Sequence, residues 1–300
     1  MRFFYSPYNR EKLLETLLAL RLSFFMARSL RQRPSSLDQA NNIMQSKPIV
    51  GIITSESSAF NGRQLLHSAG HRYVNAVMQF SDVIPTLIPT CLSKKDLKDY
   101  VTNIDGVLLT GGRANIEPHH FGGKKFPKDE IIDPSRDRTA LYLIKECVKL
   151  RMPIFGICRG IQEINVAYGG TLLYRVHECN GKKDHRMPHD DEASIEDIFK
   201  PRHVINFPKN SLLKSFTGQN HSVVNSLHGQ GIDRLGDGLN LEALSEDGLV
   251  EAVSIEGYGT FGMGIQWHAE FHPERVENSI NKILFKKFGE SCRKFRSGIL

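Results

Sequence analysis

Paired cysteines, repeats and one-sided charge are all missing from this 300-residue chain. Its five cysteines, Cys91, Cys147, Cys158, Cys179 and Cys292, are an odd, widely spaced set with no C-x-x-C pair. Neither a disulfide framework nor a zinc ribbon fits such spacing, and a reducing cytoplasmic location is expected. No internal repeat, coiled-coil heptad or low-complexity block occurs, and the 25 Gly and 13 Pro are scattered instead of gathered in tracts. The net charge of +6 is unevenly placed: residues 1–46 carry seven Arg or Lys against three Asp or Glu, a balance of +4 that leaves +2 for all the rest. With no basic face interleaved with aromatics, nucleic acid is not an expected partner. What is present is an ordinary globular composition, 40% hydrophobic and 24% charged, which suffices for one large α/β body.

The N-terminal stretch Lys12 to Leu30 lacks the uncharged run of roughly 20 residues that a bilayer span needs, because Arg21 and Arg28 interrupt it. It also lacks the small-residue cleavage site of a secretory signal. Three readings stay open: an amphipathic helix docked on the body or on a membrane surface, a targeting peptide, or translated sequence upstream of a start at Met44. The expected organisation is a basic, partly amphipathic extension over 1–46, a body over 47–290 and a tail over 291–300.

Along the body, β-branched and aliphatic runs alternate with helical patterns. Strands are expected at Ile49 to Thr54, Val83 to Ile88, Gly106 to Thr110 and Pro153 to Ile157, with helices around His71 to Phe80, Lys94 to Val101 and Ser135 to Leu150. This rhythm predicts a layered sheet of parallel strands. After Tyr168 the pattern turns to Gly/His-rich loops and shorter strands at His203 to Phe207, Ser222 to Asn225, Val250 to Ile255 and Thr260 to Trp267, then a helix from about Pro273 to Phe288. Antiparallel strands added to the sheet are expected there.

Cys158 falls between the buried strand ending at Ile157 and a helix predicted over Gly160 to Tyr168, with Gly156 and Gly160 on either side. Small residues flanking a strand-to-helix switch permit the strained turn that exposes a nucleophile, and the helix N-terminus favours a thiolate. Gln266-Trp267-His268-Ala269-Glu270 follows a strand and offers a base and an orienting carboxylate at H-x-E spacing, on one side of an extended chain. The backbone N–H groups of Arg159 and of Gly111 or Gly112 are candidate oxyanion donors. A buried structural cysteine, a chance surface His/Glu pair and a plain tight turn are the competing explanations. His119, His120, His177, His185, His189, His268 and His272 invite a metal reading, but Pro188 between His185 and His189 argues against a helical ligand pair, and no metal is expected.

Four motifs occur in one order: Leu109-Thr110-Gly111-Gly112, the segment Gly156 to Asn165 (GICRGIQEIN), Asn225-Ser226-Leu227-His228-Gly229-Gln230, and Gln266 to Glu270 (QWHAE). Together they resemble the class I glutamine amidotransferase-like superfamily and, within it, the γ-glutamyl-γ-aminobutyrate hydrolase branch, also called peptidase family C26. The stretches Ala114 to Gly122 and Asp133-Pro134-Ser135-Arg136-Asp137 resemble that branch more than true amidotransferase subunits. The resemblance runs from about Pro48 to Phe288. It implies a flavodoxin-like sheet, mostly parallel with added antiparallel strands and helices on both faces. It also implies Cys158 as nucleophile, His268 as base and later acid, Glu270 as orienter, and Gln162, Asn225, Ser226 and His228 as substrate-binding residues. A γ-glutamyl amide substrate such as γ-glutamyl-GABA and no cofactor follow from it; a homodimer is compatible with a chain of this size. Two alternatives are a glutaminase subunit feeding a separate synthase and a non-catalytic member. One departure stands out: Ala269 occupies the place after the catalytic His where relatives usually have Pro.

Overall fold

The computed structural model describes residues 46–188, 192–276 and 279–299. The N-terminal helix expected over Lys12 to Leu30, Met44 and His189 lie outside the described residues. Strand β1 (Ile49–Ile53) leads into a hairpin, β2 (Ser55–Ala59) and β3 (Gln64–Ser68), then α1 (His71–Ala76), β4 (Ile84–Ile88), α2 (Lys94–Val101), β5 (Gly106–Leu109), α3 (Pro134–Leu150), β6 (Ile154–Ile157) and α4 (Arg159–Ala167). The second half runs β7 (Leu172–Leu173), α5 (Ile195–Phe199), β8 (His203–Asn206), α6 (Leu212–Thr217), β9 (His221–Val224), β10 (Gly231–Ile232), β11 (Leu239–Ser245), β12 (Val250–Ile255), β13 (Gly262–Ile265) and α7 (Ser279–Arg296).

One nine-stranded sheet organises these elements in the order β4-β1-β5-β6-β13-β12-β11-β8-β9. From β4 through β13 neighbouring strands are parallel, and from β13 outward they are antiparallel. Strands β5, β6 and β13 are buried throughout, as expected of aliphatic runs covered on both faces. The pleat divides their side chains between two cores. Leu108, Phe155, Ile157, Met263 and Ile265 pack under α7, against Leu284, Phe285 and Phe288. Val107, Leu109 and Ile154 face α2, α3 and α4, against Leu97, Leu143 and Ile164. The layered α/β sheet with helices on both faces is therefore the observed fold.

Caps set the helix starts near the site. The Asp133 carboxylate accepts from the Arg136 N–H, and Pro134 opens α3 where a missing N–H costs nothing. Differences from the sequence expectation have local causes. Helix α1 gives way to a π turn at Val77–Ser81, which ends with Ser81 Oγ donating to the Phe285 carbonyl. The last helix begins at Ser279, beyond Pro273, and passes residue 290 to reach Arg296, because Cys292 is fully buried in the core and Arg296 reaches Asp105. The β2–β3 hairpin shows no apolar alternation and its strands are largely exposed, so periodicity carries no trace of it. Among the described residues no helix is long and apolar enough to cross a membrane.

Candidate active site

The C-terminal ends of three adjacent parallel strands, β5, β6 and β13, deliver Gly111, Cys158 and His268 to one place, where open α/β sheets gather reactive groups. Cys158 follows β6 directly, and its N–H continues the ladder to the Ile265 carbonyl at 2.8 Å. Its backbone is strained, with φ 54° and ψ −105°, a cost of about 1–3 kcal/mol for a non-glycine residue. The turn is held by close approach of α4 to the sheet: a Cβ on Gly156 would lie 2.6 Å from the Gly160 backbone, and one on Gly160 would strike the Leu109 carbonyl. The flanking glycines therefore permit the strained strand-to-helix turn that the sequence pattern predicts.

Gly111 is the meeting point. A Cβ there would lie 2.5 Å from Tyr73 Oη, 2.9 Å from His268 Cε1 and 3.4 Å from Cys158 Cβ, so only hydrogen fits among these three side chains. His268 Nδ1 donates to Glu270 Oε1 at 2.7 Å, and the Tyr73 hydroxyl lies 3.2 Å from the same nitrogen. Tyr73 Oη also accepts the Gly111 N–H at 2.9 Å. The His268 backbone is clamped on both sides: Asn225 Oδ1 accepts its N–H at 2.8 Å and Asn225 Nδ2 donates to its carbonyl at 3.0 Å. The Phe199 ring stands edge-on to the imidazole with centroids 5.5 Å apart.

Charge follows geometry here. Burial acts to lower the His268 pKa, but the Glu270 carboxylate and then the Cys158 sulfur outweigh it and hold the imidazole well above its ordinary value of 6.5. Tyr73 is pushed the other way from ionisation: burial first, then Glu270 and Cys158, raise its pKa, so it is a neutral hydroxyl.

Beneath Cys158 lies a buried ionic network. Glu163 Oε1 accepts from Arg136 Nε at 2.8 Å and from Arg159 Nε at 2.9 Å. Arg159 also pairs with Asp137 and donates to the Ala114 carbonyl at 2.7 Å. Arg136 donates to Ser55 Oγ at 2.8 Å and to the Gly111 carbonyl at 3.1 Å. Burial pushes the Asp137 carboxyl up to about 6, although Arg159 and the Glu117 N–H pull it down.

The remaining residues singled out in the sequence form a bracing layer. Gln162 is buried, with Nε2 donating to the Gln230 carbonyl at 2.7 Å and to Gln266 Oε1 at 3.1 Å. Ser226 Oγ donates to the His185 carbonyl at 2.9 Å, and His228 Nδ1 lies 2.9 Å from the Gln230 carbonyl. The Arg159 side chain belongs to the ionic network, paired with Asp137 and Glu163. Gly112 packs against Arg136 and Arg159. Of the other histidines, His119 and His120 sit near Glu117 at the surface, and His272 contacts Glu274 and Glu196. Sequence reasoning missed Tyr73 and Phe199, which read as ordinary core aromatics, and missed that the Asp133 to Asp137 stretch supplies Arg136 and Asp137 to the network.

Residues 48–270 match the family model described as Peptidase C26. The chain belongs to the peptidase C26 family. The γ-glutamyl-γ-aminobutyrate hydrolase PuuD of Escherichia coli (strain K12) is 33% identical over 254 residues, which cover 84% of this chain and 96% of that one. Protein NtpR of Enterococcus hirae is 30% identical over 245 residues, 80% of this chain and 98% of its own. Among solved structures, a glutamine amidotransferase from Thermotoga maritima superposes with a TM-score of 0.51 at 14% identity, covering 82% of this chain and all of that one, a likeness of fold. This peptidase C26 member is a hydrolase, and its candidate site lies at the C-terminal ends of central parallel strands, where open α/β sheets bind their ligands.

Proposed function

We propose that this hydrolase cleaves the γ-glutamyl amide bond of γ-glutamyl amines, γ-glutamyl-GABA among them, with Cys158 as nucleophile, His268 as proton carrier and Glu270 as orienter. The observation that carries the reading is the convergence at Gly111: the Cys158 side chain and the His268 imidazole flank one glycine, and the imidazole is bound through Nδ1 to a buried carboxylate at 2.7 Å. Glu270 fixes the Nδ1–H, which leaves Nε2 to serve the sulfur.

In this scheme the Cys158 sulfur attacks the γ-amide carbonyl carbon, forming a C–S bond while the carbonyl oxygen takes the negative charge. The Arg159 and Gly112 N–H groups are the donors assigned to that oxyanion, each worth about 2.7–4 kcal/mol in comparable sites. The Gly111 N–H is engaged by Tyr73, so it serves only if that hydroxyl moves. The tetrahedral intermediate collapses with cleavage of the C–N bond as His268 passes its proton to the leaving amine. A water then gives its proton to His268 and attacks the thioester, releasing glutamate and free Cys158. No cofactor enters either half.

The test is glutamate release, followed by mass spectrometry, from a panel of γ-glutamyl amines and glutamine, with the wild-type protein and Cys158→Ala. Release from γ-glutamyl amines by the wild type, cut at least about a thousand-fold in the variant, is expected. Release from glutamine alone would move the assignment to a glutaminase serving a separate synthase, and undiminished release by Cys158→Ala would remove the mechanism.

A further inference from the structure

A second cluster of buried groups takes no part in the hydrolysis. Glu251, on β12, has a side chain only 1% exposed, and neither of its oxygens has a hydrogen-bond partner. Two histidines face it: His185 Nδ1 at 3.6 Å and His228 Nε2 at 3.8 Å from Glu251 Oε1, both beyond hydrogen-bond length and both on side chains at least 98% buried. The outer nitrogen of each ring is held from behind. His185 Nε2 lies 3.0 Å from Asp247 Oδ2, and His228 Nδ1 lies 2.9 Å from the Gln230 carbonyl.

Carboxylate and carbonyl oxygens only accept, so each outer nitrogen carries a proton, and in the neutral rings each inner nitrogen presents a lone pair on the Glu251 side, that of His185 also 3.1 Å from the Ser226 hydroxyl. Two lone pairs and a buried carboxylate converging without a proton between them repel one another unless a positive ion joins them. Imidazoles backed by a carboxylate or carbonyl, with the opposite nitrogen free, are the usual form of metal-ligating histidines.

We propose that His185 Nδ1, His228 Nε2 and Glu251 hold one divalent transition-metal ion, zinc by preference. A mixed imidazole and carboxylate set suits zinc, whereas calcium and magnesium favour oxygen ligands throughout. Tetrahedral zinc with bonds of about 2.0–2.1 Å sets its ligand atoms about 3.3 Å apart; the two separations to Glu251 Oε1, 3.6 and 3.8 Å, lie within about half an ångström of that, and all three ligand atoms lie within 4.8 Å of one another. Ser226 Oγ, 3.1 Å from His185 Nδ1, or a water completes the set. The His203 ring, stacked on His185 with centroids 4.5 Å apart, covers the site.

The ion would have a structural role. It ties residue 185, the 226–228 segment and β12 together, next to Asn225, which grips the His268 backbone, and beside the Gln266 N–H, which donates to the Glu251 carbonyl at 2.8 Å. Sequence spacing hides the set because its members come from three separate segments, at residues 185, 228 and 251.

The full-length protein, stripped with a chelator, is titrated with Zn²⁺ against a competing indicator, and bound metal is counted by elemental analysis. Uptake of about one equivalent is expected, with a rise in Tm, and Co²⁺ in its place should give the visible absorption of a four-coordinate site. His228→Gln and Glu251→Gln should lose that equivalent, while His119→Gln, which removes a ligand from the surface group Glu117, His119 and His120, should keep it. Absence of uptake by the wild type would overturn the proposal. Uptake lost in His119→Gln and kept in His228→Gln would overturn it equally. Should Glu251→Gln fail to fold, the wild-type titration and cobalt spectrum decide alone.

Discussion

The two buried polar clusters of the body are wired in opposite ways. In the Arg136–Glu163–Arg159–Asp137 network each charged side chain meets an opposite charge, and the loop carbonyls of Ala114 and Gly111 take the spare donors. In the His185–His228–Glu251 cluster the outer nitrogens are satisfied, His185 Nδ1 meets the Ser226 hydroxyl, and His228 Nε2 and both Glu251 oxygens have no hydrogen-bond partner. A closed network braces the Cys158 turn without help, whereas an open one leaves buried atoms unmatched. On the proposal above, that contrast separates structural electrostatics from a binding site, although both clusters are equally buried.

Glu163→Gln strikes the closed network hardest. It removes the carboxylate charge shared by two buried guanidiniums, and stability should fall by about 3–5 kcal/mol in denaturant unfolding, because Arg136 loses its ion-pair partner while Arg159 keeps only Asp137. A loss under about 1 kcal/mol would show that Asp137 and the loop carbonyls carry the network instead.

Asn225→Ala breaks both hydrogen bonds that set the His268 backbone and should cost about 1–3 kcal/mol of transition-state stabilisation, read as a fall in kcat with KM nearly unchanged. A KM effect without a kcat effect would place Asn225 in direct contact with substrate.

Glu270→Gln tests the charge on the imidazole. In the folded protein the His268 pKa is held above 6.5 by Glu270 and Cys158, so the stability it contributes is fully present below 6.5 and is lost as pH rises through the raised value. The same charge sets the alkaline limb of kcat/KM, which should move to lower pH in Glu270→Gln. An unmoved limb would assign the titration to another group.

The smallest effect should come from Glu251→Gln in metal-free protein. Its oxygens have no hydrogen-bond partner to lose, so stability should change by less than about 1 kcal/mol, or rise, in contrast to Glu163→Gln. A loss as large as that of Glu163→Gln would close the gap between the two clusters.

These contrasts also mark what the sequence reveals. Strands β1, β5 and β6 are legible because their residues are aliphatic without interruption, as double-sided burial demands. Cys158 is legible because Gly156 and Gly160 are local signs of a tight turn. Tyr73 is not, since its partners Gly111 and His268 lie 38 and 195 residues away and no spacing rule connects them. Gln162, Asn225, Ser226 and His228 are visible as a motif, but only packing shows them bracing loops and the His268 backbone. Strand β11 and the β2–β3 hairpin escape for a related reason: neither has the clean alternation that a half-buried strand displays.

The measurement closest to the central claim is rapid-quench trapping of the enzyme during turnover of γ-glutamyl-GABA, followed by proteolysis and mass spectrometry. A glutamyl thioester on the peptide that contains Cys158, formed before steady state and decaying with glutamate release, is the predicted result. An adduct on any other residue, or turnover at the same rate with no adduct, would contradict Cys158 as the attacking sulfur.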